Sequence, residues 1–168
     1  MLQTQPDGVV GIDPDLNGGI VHIVGDEIQM LRWLPLLDDE RRLDAEAFLK
    51  MLPCSGVERV IVEEAIVRPQ AGRGGAAMTR GIHTAHQTYG AVRALVETVY
   101  GRDTVKTVRP STWKLSMGLT SDKDLSRERA AELHPSHHKV FALKKSHGLA
   151  EAVLLAHYGR KLFCTRVH

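Results

Sequence analysis

Apolar residues in this chain fall in short continuous runs, then in longer stretches with a helical period. Gly8–Ile12 is a continuous apolar run that predicts a buried strand, and Asn17-Gly18-Gly19 after it is a turn. Ile20–Val24 returns as a second strand. Gly25-Asp26 then turns tightly into a third, Glu27–Leu31 or slightly beyond, making an antiparallel meander. Asp44–Met51 reads as a helix stopped by Pro53, and Arg59–Glu63 as a fourth strand, parallel to the first by the logic of a strand–helix–strand crossover.

Arg68–Gly81 holds five glycines or prolines in fourteen residues and predicts a loop. Ile82–Tyr100 follows as a long helix, with Ala85, Tyr89, Val92, Val96 and Val99 at helical spacing. Thr104–Val108 predicts a fifth strand. Ser111 is placed to cap a short helix through Met117, and Ser121 to cap Asp122–Leu133, which Pro135 ends. The last helix is expected over His147–Tyr158, with Gly159 as its stop signal. The expected architecture is α/β: a mixed five-stranded sheet, made of a three-strand antiparallel meander plus two parallel strands, flanked by helices. That is the layout of the ribonuclease H-like fold, and 168 residues without internal repeats fit one such domain over 1–168.

Carboxylates change the picture. Asp13 closes the first strand run and Glu63 the fourth, while His147 and Glu151 lie four apart at the start of the apolar last helix. Adjacent parallel strands would bring Asp13 and Glu63 side by side at their carboxyl ends, and Glu151 would complete the cluster. Grouped carboxylates repel one another, and a divalent metal is the usual remedy. Mg²⁺ takes oxygen ligands, and two such ions roughly 3.5–4 Å apart can activate a water and stabilise a leaving oxygen at one phosphorus. The candidate metal ligands are therefore Asp13, Glu63 and Glu151, with His147 either a weak ligand or the group that positions and deprotonates the water. Strand alternation sends Glu63 and Glu64 to opposite faces, so only one joins the cluster, and Glu63 is the choice. Asp15 and Glu64 stand as seconds. Trp113 reads as a core anchor.

Charge supplies a candidate partner class. The net charge is +2, yet residues 1–50 carry ten Asp/Glu against four Lys/Arg and the remainder ten against eighteen. No acidic residue lies between Glu64 and Glu97, while Arg68, Arg73, Arg80 and Arg93 do. Such a field suits a polyanion, and nucleic acid leads. No apolar stretch approaches the ~20 residues of a membrane-spanning helix, and Met1–Asp7 is too polar for a signal peptide. Cys54 and Cys164 match no metal or redox spacing and read as free thiols of a reducing compartment; the histidines at 83, 86, 134, 137, 138 and 157 form no zinc spacing.

The segments Gly11-Ile12-Asp13-Pro14-Asp15-Leu16, Val62-Glu63-Glu64, Arg68-Pro69-Gln70-Ala71-Gly72, Pro110-Ser111-Thr112-Trp113-Lys114, Lys123-Asp124-Leu125-Ser126-Arg127 and Lys144 through Ala152 occur in a recognisable order. In that order the chain resembles RuvC-type Holliday junction resolvases, and more closely the chloroplast resolvases of the monokaryotic-chloroplast family, from about residue 9 to about residue 160. The resemblance implies a homodimeric, Mg²⁺-dependent endonuclease, with Mn²⁺ able to substitute, that nicks two opposing strands of a four-way DNA junction symmetrically. It implies catalytic roles for Asp13, Glu63, His147 and Glu151, with Lys123 at the phosphate being cut. It implies a location in the chloroplast nucleoid, the transit peptide being absent from this sequence. Bacterial RuvC carries two aspartates on the last helix, where this chain has His147 and Glu151, and Ser146 stands where related chloroplast enzymes often have an acid.

By the same resemblance the loop Gln70–Gly81 reaches into the junction centre, with Gln70 at base edges and Arg73 at guanine or phosphate; Arg80 is a further DNA-binding candidate. Arg109, Lys114, Lys123, Arg127, Arg129, Lys139, Lys144 and Lys145 are expected at phosphates, fixing register without reading sequence. The long helix Ile82–Tyr100 is the candidate dimer face. Three other functions compete: a ribonuclease H-type enzyme cutting RNA in hybrids, a catalytically inactive junction-binding module on the same fold, and an actin-like phosphotransferase. The intact acidic set argues against the second and the chain length against the third.

Overall fold

The structure, a computed structural model, describes residues 8–37, 42–66 and 76–164, with side chains throughout except at 76–81 and 164. Five strands form one sheet in the order β3-β2-β1-β4-β5. The strands are β1 (Gly8–Asp13), β2 (Gly19–Val24), β3 (Glu27–Trp33), β4 (Arg59–Glu63) and β5 (Val105–Val108). The first three pair antiparallel; β4 lies parallel to both β1 and β5. The expected meander and crossover are therefore both present, with β1 at the centre.

Alternation along the strands splits the core in two. Val10, Ile12, Ile20, Val60 and Val62 face α1 (Ala45–Met51) and α2 (Ala76–Tyr100), which supply Phe48, Val92 and Val96. Val9, Val21, Ile23 and Ile61 face the other way, against α6 (His147–Cys164), with Ala130 of α4 (Lys123–Leu133) and Trp113 of α3 (Pro110–Ser116) behind it. Asp13 and Glu63 have the parity of Val9 and Ile61, so alternation directs both toward α6.

Several boundaries differ from the sequence reading. Helix α2 begins at Ala76, six residues before Ile82, because Ala76-Ala77-Met78-Thr79-Arg80 propagates a helix well despite the glycines around it. Val99 is 48% exposed and leaves the buried stripe, which Thr88, Val92 and Val96 form instead. Asp44 caps α1, accepting from Ala47 N–H at 3.0 Å. Asp122, not Ser121, caps α4, accepting from Asp124 N–H at 2.9 Å. Pro110, not a Ser111 cap, opens α3, where its missing N–H costs nothing. Helix α6 runs past Gly159 to Cys164. A side chain at 159 would meet Ile61 Cγ1 at 2.6 Å, so this glycine permits close packing on β4 rather than ending a helix. A four-residue α5 (His138–Phe141) lies between two 3₁₀ turns, Pro135–His137 and Lys144–Ser146.

Candidate active site

The close seating of α6 on the sheet creates the site. A Cβ on Gly11 would lie 2.1 Å from the Ala152 carbonyl oxygen, and one on Gly148 would lie 2.0 Å from that of Asn17. Gly18 and Gly148 pair as an isolated bridge. Bare backbone on both sides lets the first turns of α6 rest directly on the end of β1, which carries Glu151 beneath the strand end that presents Asp13. Ile12 pairs with Val62, so Asp13 and Glu63 leave the sheet as neighbours.

Asp13 is 3% exposed and Glu151 6%. Burial first, then the charges of Glu63, Glu151 and Asp15, raise the Asp13 carboxyl well above its usual range, against one favourable bond from Asp15 N–H to Asp13 Oδ1 at 3.1 Å. Burial and then Glu151 push Glu63 up to about 7, opposed by Trp113 and Lys114. The indole Nε1–H of Trp113 donates to Glu63 Oε2 at 2.5 Å, so the buried anchor also orients a site carboxylate. Strand register sets Asp13 beside Glu63, and the seating of α6 on β1 brings Glu151 to the same sheet end, where the three carboxylates interact.

Cations line the same place. Lys114 Nζ lies 2.6 Å from Glu151 Oε1, and Ser126 Oγ donates to the same oxygen at 3.4 Å. Lys123 Nζ sits 3.2 Å from His147 Nε2; the ammonium donates, so the imidazole accepts there. An open cleft of about 160 Å³ is walled by Asp13, Asp15, Glu63, Glu64, Ala85 and Pro110. His147 and Glu151 are not in its walls. Among the described residues, no three His, Cys, Asp or Glu side chains are already grouped to hold one ion.

The other expected residues divide. Arg109 reaches Glu64 Oε2 at 3.5 Å, and Thr107 Oγ1 donates to Glu64 Oε1 at 3.2 Å, so Glu64 has its own partners away from Glu63. Asp15 is a turn residue, its Oδ1 accepting from Leu16 N–H at 2.8 Å. Arg127 donates to the carbonyls of Phe141 and Ala142 and to Asp124, clamping α4 to α5. Lys144 and Lys145 are exposed. Gln70 and Arg73 lie outside the described residues; of Arg80 only the backbone, in α2, is described. Sequence reasoning missed Ser126 and the glycines. Ser126 is a fully buried serine inside a helix, and its position beside Arg127 in a quoted motif was the available signal.

The chain is thus an α/β protein whose five-stranded mixed sheet, flanked by helices, gathers Asp13, Glu63 and Glu151 at one end, with Lys114 paired to Glu151. Among the described residues, no helix is long and apolar enough to cross a membrane. Comparison with protein-family models finds no match, and comparison with curated proteins finds no similar sequence.

Proposed function

We propose that this protein is a metal-dependent endonuclease of ribonuclease H-like fold that resolves four-way DNA junctions as a homodimer. One observation carries the reading: Asp13 of β1 and Glu151 of α6 are buried, Glu63 of β4 is half-buried, and all three lie within electrostatic reach at one sheet end. Groups so arranged are costly to keep charged, and functional sites concentrate such arrangements. Hard oxygen donors gathered at one sheet end suit a hard dication, so Asp13, Glu63 and Glu151 fit Mg²⁺ or Mn²⁺. Bound there, the ion would supply Lewis acidity toward a phosphate and a more acidic water.

The chain's own side chains divide the rest of the work. Trp113 and the Asp15 N–H each hold one carboxylate in a fixed orientation. Lys114 neutralises Glu151. Lys123 holds the His147 ring through Nε2, which leaves the Nδ1–H to orient an attacking water. Lys123, Lys144 and Lys145 meet the DNA backbone.

The test compares a four-way junction, a linear duplex and an RNA–DNA hybrid, each with Mg²⁺. Paired nicks in the junction alone support the reading; hybrid cleavage assigns the site to a ribonuclease. Asp13→Asn is expected to keep junction binding and abolish cutting, and full activity in that variant removes Asp13 from the chemistry.

A further inference from the structure

Glu151 is already paired with a cation from its own chain. Lys114 Nζ lies 2.6 Å from Glu151 Oε1, with both side chains largely withdrawn from water. Ser126 Oγ, fully buried, donates to the same oxygen at 3.4 Å. The same ammonium holds the Glu63 carboxyl lower than burial and Glu151 alone would leave it. Trp113 fixes the arrangement, since its indole donates to Glu63 Oε2 while the ammonium lies 5.2 Å from its ring centroid. One internal ammonium thus serves two of the three expected metal ligands.

The cleft shows the consequence. Asp13 and Glu63 stand in its walls and Glu151 does not. Glu151 is engaged instead by Lys114 of α3 and Ser126 of α4, although its charge still raises both Asp13 and Glu63. An ammonium and a dication held on one buried carboxylate repel each other, so Glu151 serves an ion only by giving up Lys114. Lysine suits such an exchange: its charge is compact and rides on a flexible four-carbon stem, so it can leave without any movement of backbone.

We propose that Lys114 is a built-in counter-ion that holds Glu151 until a dication takes its place, and so sets the ion affinity of the site. The proposal deepens the nuclease reading and rests on it. Lys114 acts through Glu151 and is a positioning residue.

The first test uses the wild-type protein and Mn²⁺ alone, without DNA. Acetylation of amines by an N-hydroxysuccinimide ester, read by mass spectrometry, compares Lys114 with the exposed Lys50 and Lys139. Lys114 is expected to be protected without the ion and to react several-fold faster with it, the two reference lysines staying constant. In calorimetric titration Lys114→Met is expected to bind Mn²⁺ about tenfold more tightly than wild type, as a competing charge is removed. Lys114→Arg keeps the charge and should bind the ion no more tightly than wild type.

Equal protection of Lys114 with and without Mn²⁺ overturns the exchange, and so does wild-type Mn²⁺ affinity in Lys114→Met. The acetylation result decides alone if Lys114→Met does not fold. Absence of Mn²⁺ binding in both wild type and Lys114→Met overturns the nuclease reading itself, and the exchange with it.

Discussion

Lys114 Nζ lies 2.6 Å from Glu151 Oε1, and the two side chains are only 16% and 8% exposed. The ammonium also lies 5.2 Å from the Trp113 ring centroid, so the α3 segment that orients Glu63 also neutralises Glu151. Removing one partner of a buried pair leaves a desolvated charge, at a cost of about 3–5 kcal/mol. Lys114→Met is expected to destabilise the fold by about that amount, because Glu151 then faces Asp13 and Glu63 without a counter-ion. Adding Glu151→Gln should restore most of the loss. Urea unfolding of the two single variants and the double one gives the coupling, and additive losses would mean that the pair is not formed in solution.

The acidic cluster sets a pH dependence of known sign. Glu63 is pushed up to about 7 from an ordinary 4.5, and Asp13 moves the same way. An acid raised on folding favours the protonated native state. Its stabilising contribution is whole at low pH and declines as pH rises from about 4.5 to about 7, on the order of 3 kcal/mol for Glu63 at most. Without metal, the protein should therefore lose stability across that window, and Glu63→Gln should flatten the slope. Mg²⁺ should raise the melting temperature more at pH 8 than at pH 5. Thermal unfolding followed by circular dichroism, with and without chelator, reads both effects.

Most of the scaffold was legible from short apolar runs bounded by turn residues. Val9 to Asp13 and Arg59 to Glu63 carry their own register, and a carboxylate at the end of a buried strand has one place to go. The helix-start at Ala76 was hidden by surrounding glycines, which signal a loop locally while alanine and methionine propagate a helix. Gly159 misled in the opposite direction: a glycine next to a helix end looks like a stop, and only the sheet beneath reveals a close approach to Ile61. The attachment of Lys114 to Glu151 joins positions 37 apart, and that of Ser126 joins positions 25 apart. No local pattern encodes such contacts, so the lysine read as a phosphate contact while its buried pairing stayed invisible.

His134 and His157 supply a slope opposite to that of Glu63. Their Nε2 atoms are 2.8 Å apart and their ring centroids 5.1 Å. The centroid distance exceeds the nitrogen distance by about one ring diameter, so the rings point head-on and one N–H donates to the other's lone pair. This bond ties the end of α4 to α6. Burial first, then His134, holds His157 down at about 4, and His134 is lowered as well. Asp26 and Glu27 on the β2–β3 turn favour charging, while His137, Arg129 and Arg160 oppose it. A base lowered on folding contributes stability that is whole above about 6.5 and is lost as pH falls toward about 4. His157→Leu should reduce the acid-side loss and leave the Glu63 slope intact. Unfolding curves from pH 4 to pH 7 on this variant and Glu63→Gln separate the two; identical profiles in wild type and His157→Leu would remove the pair from the account.

Gly11 tests whether helix placement governs the site. A methyl group there would lie 2.1 Å from the Ala152 carbonyl oxygen and 2.7 Å from Ala156 N, both backbone atoms that can yield only if α6 moves. Gly11→Ala is expected to cost about 3 kcal/mol, at the upper end of overpacking, since no rotamer change relieves it. If the proposed nuclease function holds, a variant that still folds should cut DNA far more slowly than wild type, because α6 carries both His147 and Glu151 away from Asp13. Gly90→Ala is the control. It lies inside α2, a Cβ there meets nothing within 4 Å, and alanine should stabilise the helix by about 0.5–1 kcal/mol. Urea midpoints on both variants, with junction cleavage measured on each, check the pair. A Gly11→Ala protein with wild-type stability and rate would mean that α6 is not pressed against β1, and the acidic cluster would lose the contact that assembles it.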